Sequence, residues 1–169
     1  MYPVDINNEC YFSVKHYLKW ADINVRDFQE VLPFKLLRAR DATMAHFRPL
    51  FHAHAVTEQQ WRIIRTLEEH GELEARRLAD LCALLSPSLT GILRRLQQSG
   101  LIERRRVVED RRRVNLRLSP KGQALFEKIR PLVEAKYQEF ETEVSPDKLE
   151  RLNRLLDEVI ALGLDGAAE

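Results

Sequence analysis

The 169-residue sequence predicts a mainly α chain with a small β-hairpin wing: a winged helix-turn-helix joined to further helices. Three observations carry that prediction. Apolar residues recur with a helical period over most of the chain. Two helical stretches meet at a short turn before LSPSLTGILRRLQQSG, residues 85–100. After Gly100 the period changes, and LIERRRVVEDRRRVNLRLS supplies two short β-type runs around a polar turn.

The bulk numbers set the frame. A hydrophobic fraction of 44% and a charged fraction of 31% suit a globular chain with its own core. No apolar run approaches the roughly 20 residues of a membrane helix, and MYPVDINNEC lacks the order of a secretory signal. Cys10 and Cys82 lie far apart without CxxC spacing, which argues against a disulfide framework or a zinc site. A cytoplasmic location without membrane or cofactor is expected. The net charge of +1 hides an asymmetry. Residues 86–117 hold nine Arg against Glu103, Glu109 and Asp110, a local +6, whereas residues 120–169 carry a local −4. Such a split builds one face for a polyanion.

Residues 1–32 are rich in aromatics with poor periodicity, and read either as an extension packed on the main body or as an arm. From Phe34 to His52, the residues Leu37, Arg40, Met44, Phe47 and Phe51 share one face of a helix. VTEQQWRIIRTLEEHGE opens with Thr57 as N-cap and Gln60 in capping-box position, buries Trp61, Ile64 and Leu67, and closes at Gly71. A shorter helix is expected over Leu73–Leu84 with Leu78, Leu81 and Cys82 inward. The next is expected to be capped by Ser86, with Pro87 at its first position, and to end at Gly100. Strands are expected over residues 101–107 and 113–118. Ser119-Pro120 and Ser145-Pro146 then open helices of roughly residues 120–142 and 146–162.

This order of elements points to double-stranded DNA. A recognition helix presents its N-terminal residues to base edges in the major groove; here these are Ser86, Ser88, Leu89 and Thr90, followed by Arg94 and Arg95. Ser86 has two readings, plain capping and base contact. Arg104, Arg105 and Arg106 alternate along the first wing strand, so they cannot all face DNA. Arg111, Arg112 and Arg113 sit at the wing tip, where guanidinium groups meet phosphate or enter a minor groove. Asp110 fits there as the partner that orients a tip arginine.

The pattern Asp110-x-Arg112-x5-Leu118-Ser119-x2-Gly122 resembles the wing signature of the MarR family of winged-helix transcription regulators, with Ser119 where Thr is common. The likeness runs from about Leu36 to Leu162. Within the family, Val56–Ile63 and Leu85–Leu93 look most like the repressors of homoprotocatechuate pathways. The resemblance implies that Asp110 orients the wing and that Arg112, with Arg111, reaches the minor groove. It also implies an intertwined homodimer, its first and last helices interlocked. Phe34, Leu37, Leu152, Leu155, Leu156, Val159 and Ile160 suit that role. The implied domains are an extension (residues 1–32), a helical dimerisation region (33–54 and 120–163) and a winged DNA-binding domain (55–119). A two-fold dimer implies a pseudo-palindromic operator.

Arg40 is the anomaly of the first helix, a guanidinium in an apolar stripe. A buried one needs a partner: either a salt bridge or the carboxylate of a small aromatic acid, with Met44, His46, Phe47 and Trp61 around the ring. Hydroxyphenylacetates, hydroxybenzoates and pyridine carboxylates all suit that chemistry. The chain then reads as a transcriptional repressor of aromatic-degradation genes, released by such an acid. The alternatives are a thiol-oxidation sensor using Cys82, which its leucine-rich setting disfavours, and an architectural protein coating DNA without sequence preference. Metal binding by His46, His52 and His54 is disfavoured, since His52 and His54 point to different helix faces. With no GxGxxG, P-loop, GxSxG or HExxH motif, the sequence does not read as an enzyme.

Overall fold

The computed structural model describes residues 27–106 and 114–165. Its described part separates into two compact units, with the boundary between Ala42 and Thr43. In the first, Asp27 caps a 3-10 turn, Phe28–Glu30, by accepting a hydrogen bond from the Gln29 N–H at 3.0 Å. The Phe28 and Phe34 rings meet at 4.6 Å, and Lys35 pairs with Glu30. Helix α1, Leu32–Ala53, begins here and continues into the second unit. Its apolar stripe changes character on the way: Leu37 and Arg40 are exposed, Met44 is half-buried, and Phe47 and Phe51 are buried.

The second unit holds the winged domain. Helix α2, Glu58–His70, starts at a complete capping box: Thr57 Oγ1 accepts from the Gln60 N–H at 3.2 Å, and Gln60 Oε1 accepts from the Thr57 N–H at 2.9 Å. It ends at Gly71, whose φ of 72° lies in the left-handed region that glycine enters freely. The expected helix from Leu73 is shorter than its pattern suggested. Leu73–Glu74 form strand β1, and helix α3 covers only Ala75–Leu81. Pairing with Leu116 and Asn115 draws the two residues into the sheet, overriding local helix preference. Leu81, expected inward, is exposed, while Leu78, Ala79 and Cys82 are buried.

Helix α4, Ser86–Gln98, follows. Leu85 rather than Ser86 holds the cap position, with no side-chain cap, and Pro87 is the second helical residue instead of the first. The helix closes through paired bonds, Leu101 N–H to Leu96 O and Gly100 N–H to Gln97 O, both 2.9 Å, with Gly100 at φ 71°. Strands β2, Ile102–Arg106, and β3, Val114–Leu118, pair antiparallel, giving a sheet ordered β1-β3-β2. Helices α5, Pro120–Val144, and α6, Pro146–Asp165, complete the chain. The core under the sheet is aliphatic: Ile63, Ile64, Leu67, Leu78, Ile92, Leu96, Leu116 and Ile129 are fully buried. The predicted class, mainly α with a β-hairpin wing, is the observed one.

Candidate functional site

Helix α4 is two-faced. Leu89, Ile92, Leu93 and Leu96 sit in the core, following the helical period. Ser88, Thr90, Arg94 and Arg95 are exposed on the other side. Leu89 therefore leaves the group of expected base contacts: it is 3% exposed and anchors the helix from behind. Ser86 opens the helix at its first position.

The hairpin register sorts the wing arginines by face. Glu103 lies opposite Arg117 and Arg105 opposite Asn115, on one face; Ile102, Arg104 and Leu116 share the other. On the first face Arg117 donates to Glu103 Oε2 from Nε at 3.1 Å and Nη2 at 2.9 Å. Glu72, just before β1, receives Arg105 Nη1 at 3.3 Å and lies 3.8 Å from Arg117 Nη1. Two of the basic segment's arginines thus spend their charge within the wing root, while Arg104 is exposed on the opposite face. Sequence reasoning passed over Glu72 and Arg117. A five-residue antiparallel register would have revealed the Glu103–Arg117 pair, but Glu72 comes from outside the hairpin. Asp110, Arg111, Arg112 and Arg113 lie outside the described residues.

Behind this surface, Trp61 stacks on Phe126 at 5.5 Å with an interplanar angle of 15°, and packs against Phe51 at 5.9 Å. A cavity of about 380 Å³ opens beside the pair, lined also by Arg65, Val133 and Arg130 and by the carboxylates of Glu68, Glu69 and Glu134. The Arg130 guanidinium lies 5.9 Å from the Phe126 ring centre, and Gln123 donates to Glu68 at 2.9 Å. The lining joins an aromatic wall to two guanidinium groups and three carboxylates, so any acid bound here would have to pair with Arg65 or Arg130 against the surrounding negative charge. Arg65 was missed although it follows Trp61 by one helical turn; Arg130 arrives from α5 and no local pattern announces it.

The other expected ligand residues do not line this cavity. Phe47 is a core residue, its ring 5.4 Å from Tyr137. Met44 packs half-buried against the core, and His46 faces Phe140 at 5.2 Å and Glu143 at 3.9 Å. Arg40, expected in an apolar setting, is exposed. A helical stripe marks one side of a helix, but it cannot say how far along the helix that side is covered.

Cys82 is fully buried. Burial pushes its thiol above the ordinary cysteine range, against the smaller lowering effects of the Thr66 hydrogen bond at 3.4 Å and the Arg62 charge. His54 lies one residue past α1, so His52 and His54 do not share a helix. Among the described residues no group of three or more His, Cys, Asp or Glu is placed to hold a metal ion. No described helix is long and apolar enough to cross a membrane. On α6, Leu152, Leu155, Val159 and Ile160 are exposed and Leu156 is half-buried.

The order of α3, α4 and the β2–β3 hairpin coincides with a match to the MarR family over residues 56–114. The homoprotocatechuate degradative operon repressor of Escherichia coli is 41% identical over 132 residues, spanning 78% of this chain and 89% of that protein. This chain belongs to the MarR family. The HTH-type transcriptional regulator FarR of Neisseria gonorrhoeae is 43% identical over 124 residues, covering 73% of this chain and 85% of FarR. Among solved structures, NadR in complex with 4-hydroxyphenylacetate superposes with a TM-score of 0.69 at 38% identity, covering 79% of this chain and 97% of NadR. As a MarR-family chain, it uses α3 and α4 as its helix-turn-helix and β2–β3 as its wing.

Proposed function

We propose that this protein is a homodimeric, cytoplasmic transcriptional repressor, not an enzyme. It binds a pseudo-palindromic operator and leaves it when a small aromatic carboxylic acid binds. One observation carries the DNA reading: α4 buries Leu89, Ile92, Leu93 and Leu96 while Ser88, Thr90, Arg94 and Arg95 face outward, directly before a wing rich in arginine. Hydroxyls and guanidinium groups on an exposed helix face suit base edges and phosphates. Asp110 orients the wing tip, and Arg111, Arg112 and Arg113 extend the contact. The similarity to an operon repressor for an aromatic pathway supports control of aromatic-degradation genes.

The apolar α6 side, with Phe34 and Leu37 of α1, supports dimerisation. Residues 33–54 and 120–163 then form the dimerisation region, and residues 55–119 the DNA-binding domain. For the effector, likeness to a regulator solved with 4-hydroxyphenylacetate supports an aromatic acid; the Trp61–Phe126 stack offers a place for its ring, with Arg65 and Arg130 as cations among three carboxylates. Arg65 is an alternative to Arg40 as the partner for the effector carboxylate. The buried thiol of Cys82 disfavours oxidation sensing.

Fluorescence anisotropy tests this reading, on DNA upstream of the protein's own gene at fixed salt, with hydroxyphenylacetates, hydroxybenzoates and pyridine carboxylates. Selective binding released by one acid is expected. Equal affinity for random duplex would leave a coating role instead. Arg65→Ala and Arg40→Ala are each expected to keep DNA binding. Whichever of them loses the acid response holds the carboxylate.

A further inference from the structure

The turn that leaves α4 is held by residues from beyond the wing. Three successive carbonyls there, of Ser99, Gly100 and Leu101, accept hydrogen bonds from the residues that open α5. Lys121 Nζ donates to Ser99 O at 2.7 Å, Ser119 Oγ donates to Gly100 O at 2.6 Å, and the Ser119 N–H donates to Leu101 O at 3.0 Å. Ser119 Oγ also accepts from the Gly122 N–H at 3.0 Å, so one hydroxyl caps α5 while it holds the end of α4. Ser119 is the one buried polar residue of the described chain. Gly122 completes the joint: a Cβ there would lie 2.1 Å from Leu101 O, so the two backbones meet at a distance only glycine permits.

The helix that starts at this joint leads on to the aromatic cavity. Phe126, Arg130 and Val133, which line it beside Trp61, are the next turns of α5. We propose that the Ser119–Gly122 joint makes α4 and α5 one rigid lever, and that Ser119 is a positioning residue setting the pose of the recognition helix on its operator. The inference rests on the operator-binding reading above and adds the part through which that surface is aimed. Base reading depends on side-chain placement within hydrogen-bond reach, whereas phosphate attraction tolerates a loose pose. Loosening the joint therefore lowers selectivity and leaves charge-driven binding intact.

The test uses the full chain, with an operator that the wild-type protein selects from a random duplex pool. Anisotropy at fixed salt, well below the unfolding temperature, gives affinities for that operator and for random duplex. Ser119→Ala is expected to weaken operator binding about tenfold, the scale of one lost base contact, with random-duplex affinity unchanged. Ser119→Thr, which keeps the hydroxyl, restores the wild-type ratio. General destabilisation cannot produce this split, because it lowers both affinities alike. Lys121→Met reduces the ratio less, and it decides the question if Ser119→Ala does not fold. A wild-type ratio of operator to random affinity in folded Ser119→Ala, or in Lys121→Met when that variant decides, overturns the proposal, as does an equal loss on both DNAs. A wild-type protein that selects no operator instead overturns the operator-binding reading on which the proposal rests.

Discussion

Helices α2 and α4 are the same length, and both looked capped by a hydroxyl, yet they begin differently. Thr57 and Gln60 close the start of α2 by trading side-chain bonds for backbone N–H groups. The cap position of α4 is Leu85, 79% exposed, whose side chain makes no cap hydrogen bond. The cap residue finishes one helix; the cap residue of the other offers no acceptor to its positive end. The contrast teaches that a helix start can be closed by its own cap residue or left to another group. On the operator-binding reading proposed above, a DNA phosphate is that group for α4.

The largest effect should come from giving α4 the cap it lacks. Leu85→Asp supplies an acceptor and a negative charge at the helix start. It is expected to hold or raise thermal stability while weakening DNA binding by about tenfold to a hundredfold, the scale of lost charge-assisted bonds. Unchanged DNA affinity in that variant would break the comparison. The converse change at the other helix, Thr57→Ala, should cost about 1 kcal/mol and lower the melting temperature by about 2–4 °C. Operator affinity measured below that transition should stay as in the wild type; a selective loss of DNA binding would show that the α2 start also serves the interface.

A smaller effect concerns Cys82, whose carbonyl ties it to α2 through Arg62 Nη1 at 2.8 Å. Burial disfavours its thiolate, so at pH 8 the native thiol should alkylate far more slowly than in the urea-unfolded chain, read by mass spectrometry of the Cys82 peptide. Hydrogen peroxide should leave DNA affinity unchanged. Release of DNA by peroxide, reversed by a thiol reductant, would reinstate oxidation sensing.

Much of this is legible in the sequence alone, for a definite reason. The capping box spans four residues, the α4 stripe repeats every turn, and the change of period after Gly100 is read within twenty residues. The errors came where distant residues compete with local preference. Leu73 and Glu74 look helical until β3 offers them a ladder. Leu89 looked like a base contact because it stands among serines, although its spacing with Ile92, Leu93 and Leu96 is that of a core residue. Arg40 and Leu37 belong to an apolar stripe that is covered only from Met44 onward in the single chain.

The sequence by itself determined the helices, the wing between them and the concentration of positive charge beside the recognition helix, because periodicity, caps and charge runs are local properties. Only the tertiary structure decided that Glu72 holds Arg105, that Arg130 reaches the Trp61 cavity, and that Ser119 takes the Gly100 carbonyl. Each of those pairs joins residues separated along the chain. Their meeting depends on how the sheet and helices pack, which no short window of sequence records.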